Sequence, residues 1–290
     1  MKYLLLAAAM LSFAVVAEQV SETEQDQANS ALEKRLDDER KTYDNPFVIT
    51  PHKPTYLLLG NYNDKLSAEH YANYGELQDV EVKFQFSFKM PVWSAQSQYG
   101  PSLLFAYSQA SYWQAYNKAE SSPFRETNYE PEAFLSWRPN YELGAGWSVQ
   151  VAQIGFVHQS NGRSEPLSRS WNRIKASVTL ERGNLGLAIV PWLRIPEDRE
   201  EDNNHDITDY LGHGKVLAAY KWGGQTFSLM SRNNIESGFS KGAIEGSWSF
   251  PLSTRVKGYV QFFSGYGGNL IEYDHYNNTV GIGIALTDWL

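Results

Sequence analysis

From Val80 to Val92 the chain alternates with a period of two. Val80, Val82, Phe84, Phe86, Phe88, Met90 and Val92 fall on one parity, and Glu81, Lys83, Gln85, Ser87 and Lys89 on the other. Successive strand side chains point to opposite faces, so the segment predicts a strand with one wholly apolar face and one polar, charged face. Comparable stretches recur at residues 53–63, 101–116, 128–138, 147–160, 170–182, 184–195, 207–221, 224–232, 241–250, 254–265 and 277–289, about twelve strands in all. Many reach the ~9 to 11 residues that a tilted strand needs to cross a bilayer. No segment after residue 17 is apolar enough for a spanning helix. Lipid admits only helices and closed barrels, because every backbone N–H and C=O in it must be hydrogen-bonded. The pattern predicts an all-β protein, a transmembrane antiparallel up-and-down β-barrel of about 12 strands over residues 51–290.

The two ends refine this. MKYLLLAAAMLSFAVVA carries a cationic Lys2, a short apolar run and small residues before a cleavage site, which predicts a signal peptide over residues 1–17. Residues 18–50 are polar and charged, and read as a mobile or partly helical periplasmic leader outside the main fold. The final strand alternates Val280, Ile282, Ile284 and Leu286 against Gly281, Gly283 and Ala285, then ends in Trp289-Leu290. It is similar to the terminal strand by which outer-membrane barrels are recognised, with leucine in the usual final aromatic position.

Composition narrows the chemistry. With 0 cysteines there is no disulfide framework, thiolate nucleophile or cysteine zinc site. A net charge of -8 argues against a nucleic-acid partner, whose binding rests on basic clusters. The 9 Trp and 18 Tyr suit side chains that keep one apolar and one wet side, as in the aromatic belts of a membrane interface.

One hairpin mixes this pattern with polar chemistry. In GFVHQSNGRSEPLSRSWNRIKASV, residues 155–178, Ile154, Phe156, His158 and Ser160 share one face, and Asn172 shares a face with Ile174, Ala176, Val178 and Leu180. All three polar residues therefore point outward, toward lipid. Positions i and i+2 lie about 6 to 7 Å apart along a strand, so an imidazole reaches a serine hydroxyl, and the neighbouring strand can bring the asparagine to the other ring nitrogen. That is the set of a nucleophile, a base and an orienting group. Ordinary loop-edge polarity is the competing explanation, and the spacing alone leaves both standing.

The segment HQSNGRSEPLSRSWNR closely resembles the active-site segment of the outer-membrane phospholipase A family. ESSPFRETNYEPEAFLSW from Glu120, DITDY from Asp206 and FFSGYGGNLIEYD from Phe262 resemble that family too, so the likeness runs from about residue 45 to the end. The resemblance implies a calcium-dependent outer-membrane hydrolase of phospholipids and lysophospholipids at both acyl positions, active as a homodimer, with a monomeric resting state left open. It makes Ser160 the nucleophile, His158 the general base and Asn172 the residue that orients it, with the backbone N–H groups of Ser160 and Gly162 at the oxyanion. It places Ca2+ between two barrels, on the carbonyl of Arg163, the hydroxyl of Ser168 and the carbonyl of Ser121 of the partner subunit, and puts Gln109 in the dimer contact.

Asp198 to Asp202 forms a second acidic group, read as a solvated loop in preference to a metal site. Two other readings compete with the enzyme. A passive pore would need an open lumen, whereas inward Glu81, Lys83, Lys89, Arg173, Lys175, Arg255 and Lys257 predict a filled, ion-paired interior. A soluble β-sandwich esterase would need a second sheet to cover the apolar face of Val80–Val92.

Overall fold

The alternation closes into a barrel. The computed structural model describes residues 30–290 apart from 68, 72–74, 98, 199 and 201. Twelve long strands run in chain order: β1 Thr55–Asn63, β2 Val80–Ser94, β3 Ser102–Trp113, β4 Phe124–Trp137, β5 Trp147–Ser160, β6 Ser170–Arg182, β7 Leu185–Ile195, β8 Gly214–Trp222, β9 Gln225–Asn233, β10 Gly242–Pro251, β11 Lys257–Tyr266 and β12 Tyr276–Thr287. Each pairs antiparallel with its neighbour, and β12 returns to β1 through Val280 opposite Tyr62 and Ala285 opposite Tyr56. Every long strand is thus hydrogen-bonded on both sides, which rules out an open sandwich. Short segments Thr50–Pro51 and Tyr141–Gly144 add to β2 and β5.

The polarity is inside out. On β2, Phe86 is 46% exposed and Met90 40%, while Glu81 and Lys83 are 0% and 6% exposed. Water would drive the opposite arrangement; a lipid-facing barrel requires this one. Arg125 pairs with Glu81 and Glu272, Lys89 with Glu39, Lys53 with Glu130, Lys175 with Glu132 and Lys257 with Asp288. The interior is crossed by ion pairs, and a cavity of about 220 Å³ remains among Lys53, Lys83, Glu130 and Arg173. Arg255 departs from the expected inward placement: it stands exposed in the turn between β10 and β11.

One end carries tight turns, such as Gly183-Asn184 and Gly223-Gly224, whose first glycines have φ of 55° and 56°. The other end carries the long connections, 64–79, 161–169 and 196–213 among them. Exposed aromatics ring both ends, Trp93, Tyr141 and Trp222 at the turns and Tyr62, Tyr116 and Tyr276 at the loops. This asymmetry is that of outer-membrane barrels, with turns toward the periplasm.

Two elements differ from expectation. Residues 207–211 are a short helix, α2 (Ile207–Leu211), and not the start of β8. Ile207 and Leu211 are buried against Trp171, Trp192 and Leu270, a contact that the alternation cannot encode. Upstream, Ala31–Lys41 is a helix, α1, tied to the turn end of the barrel and not lying outside it. Arg35 donates to the carbonyls of Asp288, Trp289 and Pro51, and Arg40 to Ser102 Oγ and the carbonyls of Ala95 and Ser97. Residues 1–17 lie outside the described residues.

Candidate active site

β5 and β6 bring the hairpin residues together at the loop end of the wall. His158 lies directly opposite Asn172, and Ser160 opposite Ser170. The outward phase is set by Ile154, Phe156, Ile174 and Val178, all exposed. Beneath them the inward side chains form a polar and aromatic floor. Gln159 Oε1 accepts from Trp171 Nε1 at 2.8 Å and from Arg173 at 3.2 Å, while Val157 and Trp171 are almost fully enclosed. Packing below thus holds the backbone that carries the outward residues.

His158 Nδ1 and Asn172 Oδ1 are 2.9 Å apart. An asparagine oxygen only accepts, so in the neutral ring Nδ1 carries the proton and Nε2 the lone pair, while no hydrogen bond joins Nε2 to Ser160 Oγ among the described residues. Asn172 Nδ2 in turn donates to Glu197 Oε1 at 2.9 Å. Glu197 lies just past β7, whose Ile195 pairs with Asn172. Sequence reading missed it, because a glutamate in an acidic loop carries no pattern of its own.

The connection 161–169 is stapled by Asn161, which is buried. Its Oδ1 accepts from the backbone N–H of Arg163 and Arg169, and its Nδ2 donates to the Leu167 carbonyl. Gly162 has φ of 63°, and a Cβ there would stand 3.1 Å from the Tyr129 ring, so both conformation and space ask for glycine. Arg163 is held by Glu126 at 3.1 Å and by the carbonyls of Phe124 and Arg125. Partial burial draws its guanidinium below its ordinary value, and it stays a cation at neutral pH. Ser168 is half-buried in the same loop. A second clamp comes from Asn204, fully buried, whose Oδ1 accepts from the Ser170 N–H at 3.0 Å.

The remaining predicted residues are spread around the wall. Ser121 and Ser122 lie in the 114–123 connection between β3 and β4, with φ of 59° and 51°. Trp113 Nε1 occupies the Ser122 carbonyl, while Ser121 is exposed. Gln109 faces outward, since it lies opposite the exposed Phe86, and it bonds Tyr107 Oη and Ser111 Oγ. In the second acidic group, Asp202 is committed to Arg194 at 2.6 Å, and no cluster of three metal-binding side chains occurs among the described residues.

The family model for phospholipase A1 matches residues 32–286. The chain belongs to the phospholipase A1 family. Its relatives include phospholipase A1 of Escherichia coli K12, 36% identical over 98% of this chain and 97% of that protein. Among solved structures, outer membrane phospholipase A from Escherichia coli superposes with a TM-score of 0.81 at 37% identity, covering 87% of this chain and 97% of that one. The Salmonella typhi outer membrane phospholipase, a dimer with bound calcium, gives 0.79 at 38% identity over 84% and 94%. Membership of the phospholipase A1 family and the inverted polarity together put the barrel in a Gram-negative outer membrane.

Proposed function

We propose that this barrel is a calcium-dependent phospholipase that cleaves acyl esters of phospholipids and lysophospholipids at both the A1 and A2 positions. The observation that carries the reading is the His158 to Asn172 hydrogen bond on the lipid-facing surface, with Ser160 next in phase on the same strand. Polar side chains aimed at lipid are costly unless they are paired, which makes them functional candidates by default. Delivery by an export signal in residues 1–17, and a periplasmic location for residues 18–50, belong to the same reading.

Ser160 Oγ attacks the ester carbonyl as His158 Nε2 takes its proton. The tetrahedral oxyanion is met by the backbone N–H groups of Ser160 and Gly162. Collapse expels the lyso-lipid alcohol, which receives the proton from the imidazolium, and leaves an acyl-enzyme. His158 then deprotonates water, whose attack frees the fatty acid and restores Ser160. Asn172 holds the ring without adding a charge to an apolar surface.

The residues fit a loosely held calcium ion. The Arg163 carbonyl and Ser168 hydroxyl sit in one stapled loop, and the family resemblance adds the carbonyl of Ser121 of the partner subunit as the third donor. Neutral oxygen donors suit a hard cation, which when bound would supply positive charge to the developing oxyanion. The outward face around Gln109 is the dimer contact, so that a resting monomer becomes active on pairing.

The test is fatty-acid release by the refolded, detergent-solubilised protein, with calcium and with chelator, beside Ser160→Ala. Release should need calcium and fall by about 1,000-fold or more in the variant. Undiminished release from a Ser160→Ala barrel, or from the chelated enzyme, sinks the reading.

A further inference from the structure

Asn172 has polar partners at both ends of its amide. Its oxygen meets the His158 imidazole and its nitrogen meets the Glu197 carboxylate, each at 2.9 Å. A terminal amide presents nearly the same shape either way round, so shape alone does not choose which end faces the imidazole. An ionised carboxylate only accepts hydrogen bonds, and a reversed amide would turn its oxygen onto that carboxylate. Glu197 therefore decides that Oδ1 faces the ring, and through Oδ1 it decides which imidazole nitrogen holds the proton.

Charge adds to orientation. A charge-assisted hydrogen bond at Nδ2 polarises the amide and concentrates electron density on Oδ1. That oxygen faces the Nδ1–H of an imidazole that turns cationic when Ser160 gives up its proton. The carboxylate itself stays one amide away from the ring, at the loop end of the wall, where its desolvation is less costly than in contact with acyl chains. Glu197 is half-buried and makes no ion pair among the described residues, because the neighbouring Arg194 is engaged by Asp202 and by the His205 carbonyl. Among the described residues its carboxylate is thus directed at Asn172.

We propose that Glu197 is a positioning residue, the fourth member of a line running Ser160, His158, Asn172, Glu197, in which a neutral amide carries the effect of a carboxylate to the imidazole. The proposal rests on the triad reading given above.

The test uses the full chain refolded in detergent. Glu197→Ala should lower kcat by about tenfold or more with KM unchanged, the scale of a lost hydrogen bond to a charged group. Glu197→Gln keeps an acceptor oxygen without the charge and should fall between. In an Asn172→Ala background, Glu197→Ala should cost less than about twofold, because the link it acts through is gone. A further readout needs no turnover. In a Ser160→Ala background, the downfield proton resonance of His158 Nδ1–H, identified by its loss in His158→Ala, should move on Glu197→Gln. Equal losses in both backgrounds, an unchanged kcat, or a resonance that stays in place would each overturn the proposal. If the wild type releases no fatty acid, the phospholipase reading falls, and the resonance still decides whether Glu197 acts on His158 through Asn172.

Discussion

Arg125 and Glu81 meet at 2.6 Å inside the barrel, each with about 1% of its side chain exposed, and Glu272 of the loop before β12 joins Arg125 at 2.9 Å. Removing the cation strands two carboxylates in an enclosed space. Arg125→Met should cost roughly 3 to 5 kcal/mol, seen as a lower urea midpoint for unfolding from detergent micelles. Adding Glu81→Gln should restore part of it, since an amide is cheaper to bury than a lone charge. Equal midpoints for wild type and Arg125→Met would show that the interior is wetter than its packing implies.

The outer face answers to a different rule. Ile282 is 63% exposed at the middle of β12 and meets lipid in the membrane. Ile282→Arg should destabilise the barrel by about 2 to 4 kcal/mol in vesicles, while Ile282→Leu stays close to neutral. Tryptophan fluorescence during urea titration separates them.

Asn161 sets the shape of the loop from which Gly162, Arg163 and Ser168 project. Asn161→Ala leaves the N–H groups of Arg163 and Arg169 without their shared acceptor. The calcium concentration for half-maximal hydrolysis should rise by about tenfold or more, with little change in the heat resistance of the barrel. A parallel loss of both would assign Asn161 to folding and not to the loop.

Acid should loosen the helix before the wall. Burial opposes a charge on Glu39, but Lys89 at 2.7 Å and Arg35 at 3.1 Å outweigh it and hold the carboxyl below its ordinary 4.5. A depressed folded value adds stability above the unfolded one, and that stability is lost as pH falls through the folded value. Hydrogen exchange over residues 31–41 should stay slow near neutrality and accelerate below 4.5, and Glu39→Gln should abolish the change. A helix that loosens equally in both proteins would contradict this.

Much of the barrel is legible from alternation because lipid enforces it at every second residue. The strand containing Val80 to Val92 reads correctly for that reason, and so do the outward phases of His158 and Asn172. Features that depend on contacts between distant segments leave no such trace. The α2 helix reads as strand because Ile207 and Leu211 are apolar in a short run, and only packing against Trp171 and Trp192 of the adjoining β6 and β7 and Leu270 of the loop before β12 reveals their burial. Asn161, Asn204 and Glu197 escaped notice for a related reason. Each is a polar loop residue whose role is to bond one particular backbone or side-chain group, and neither charge nor period marks it. Asn161 was the most accessible of the three, since it stands inside the Ser-Asn-Gly of the motif that carried the resemblance.

Arg35 joins the carbonyl of Pro51, just before β1, to the carbonyls of Asp288 and Trp289, just after β12. Those two strands form the seam at which the cylinder closes. Until the last strand has reached the first, the acceptors for this guanidinium are far apart, and this anchor of the helix cannot form. The Arg35 contacts thus report on closure: they form only in a barrel whose two edges have met.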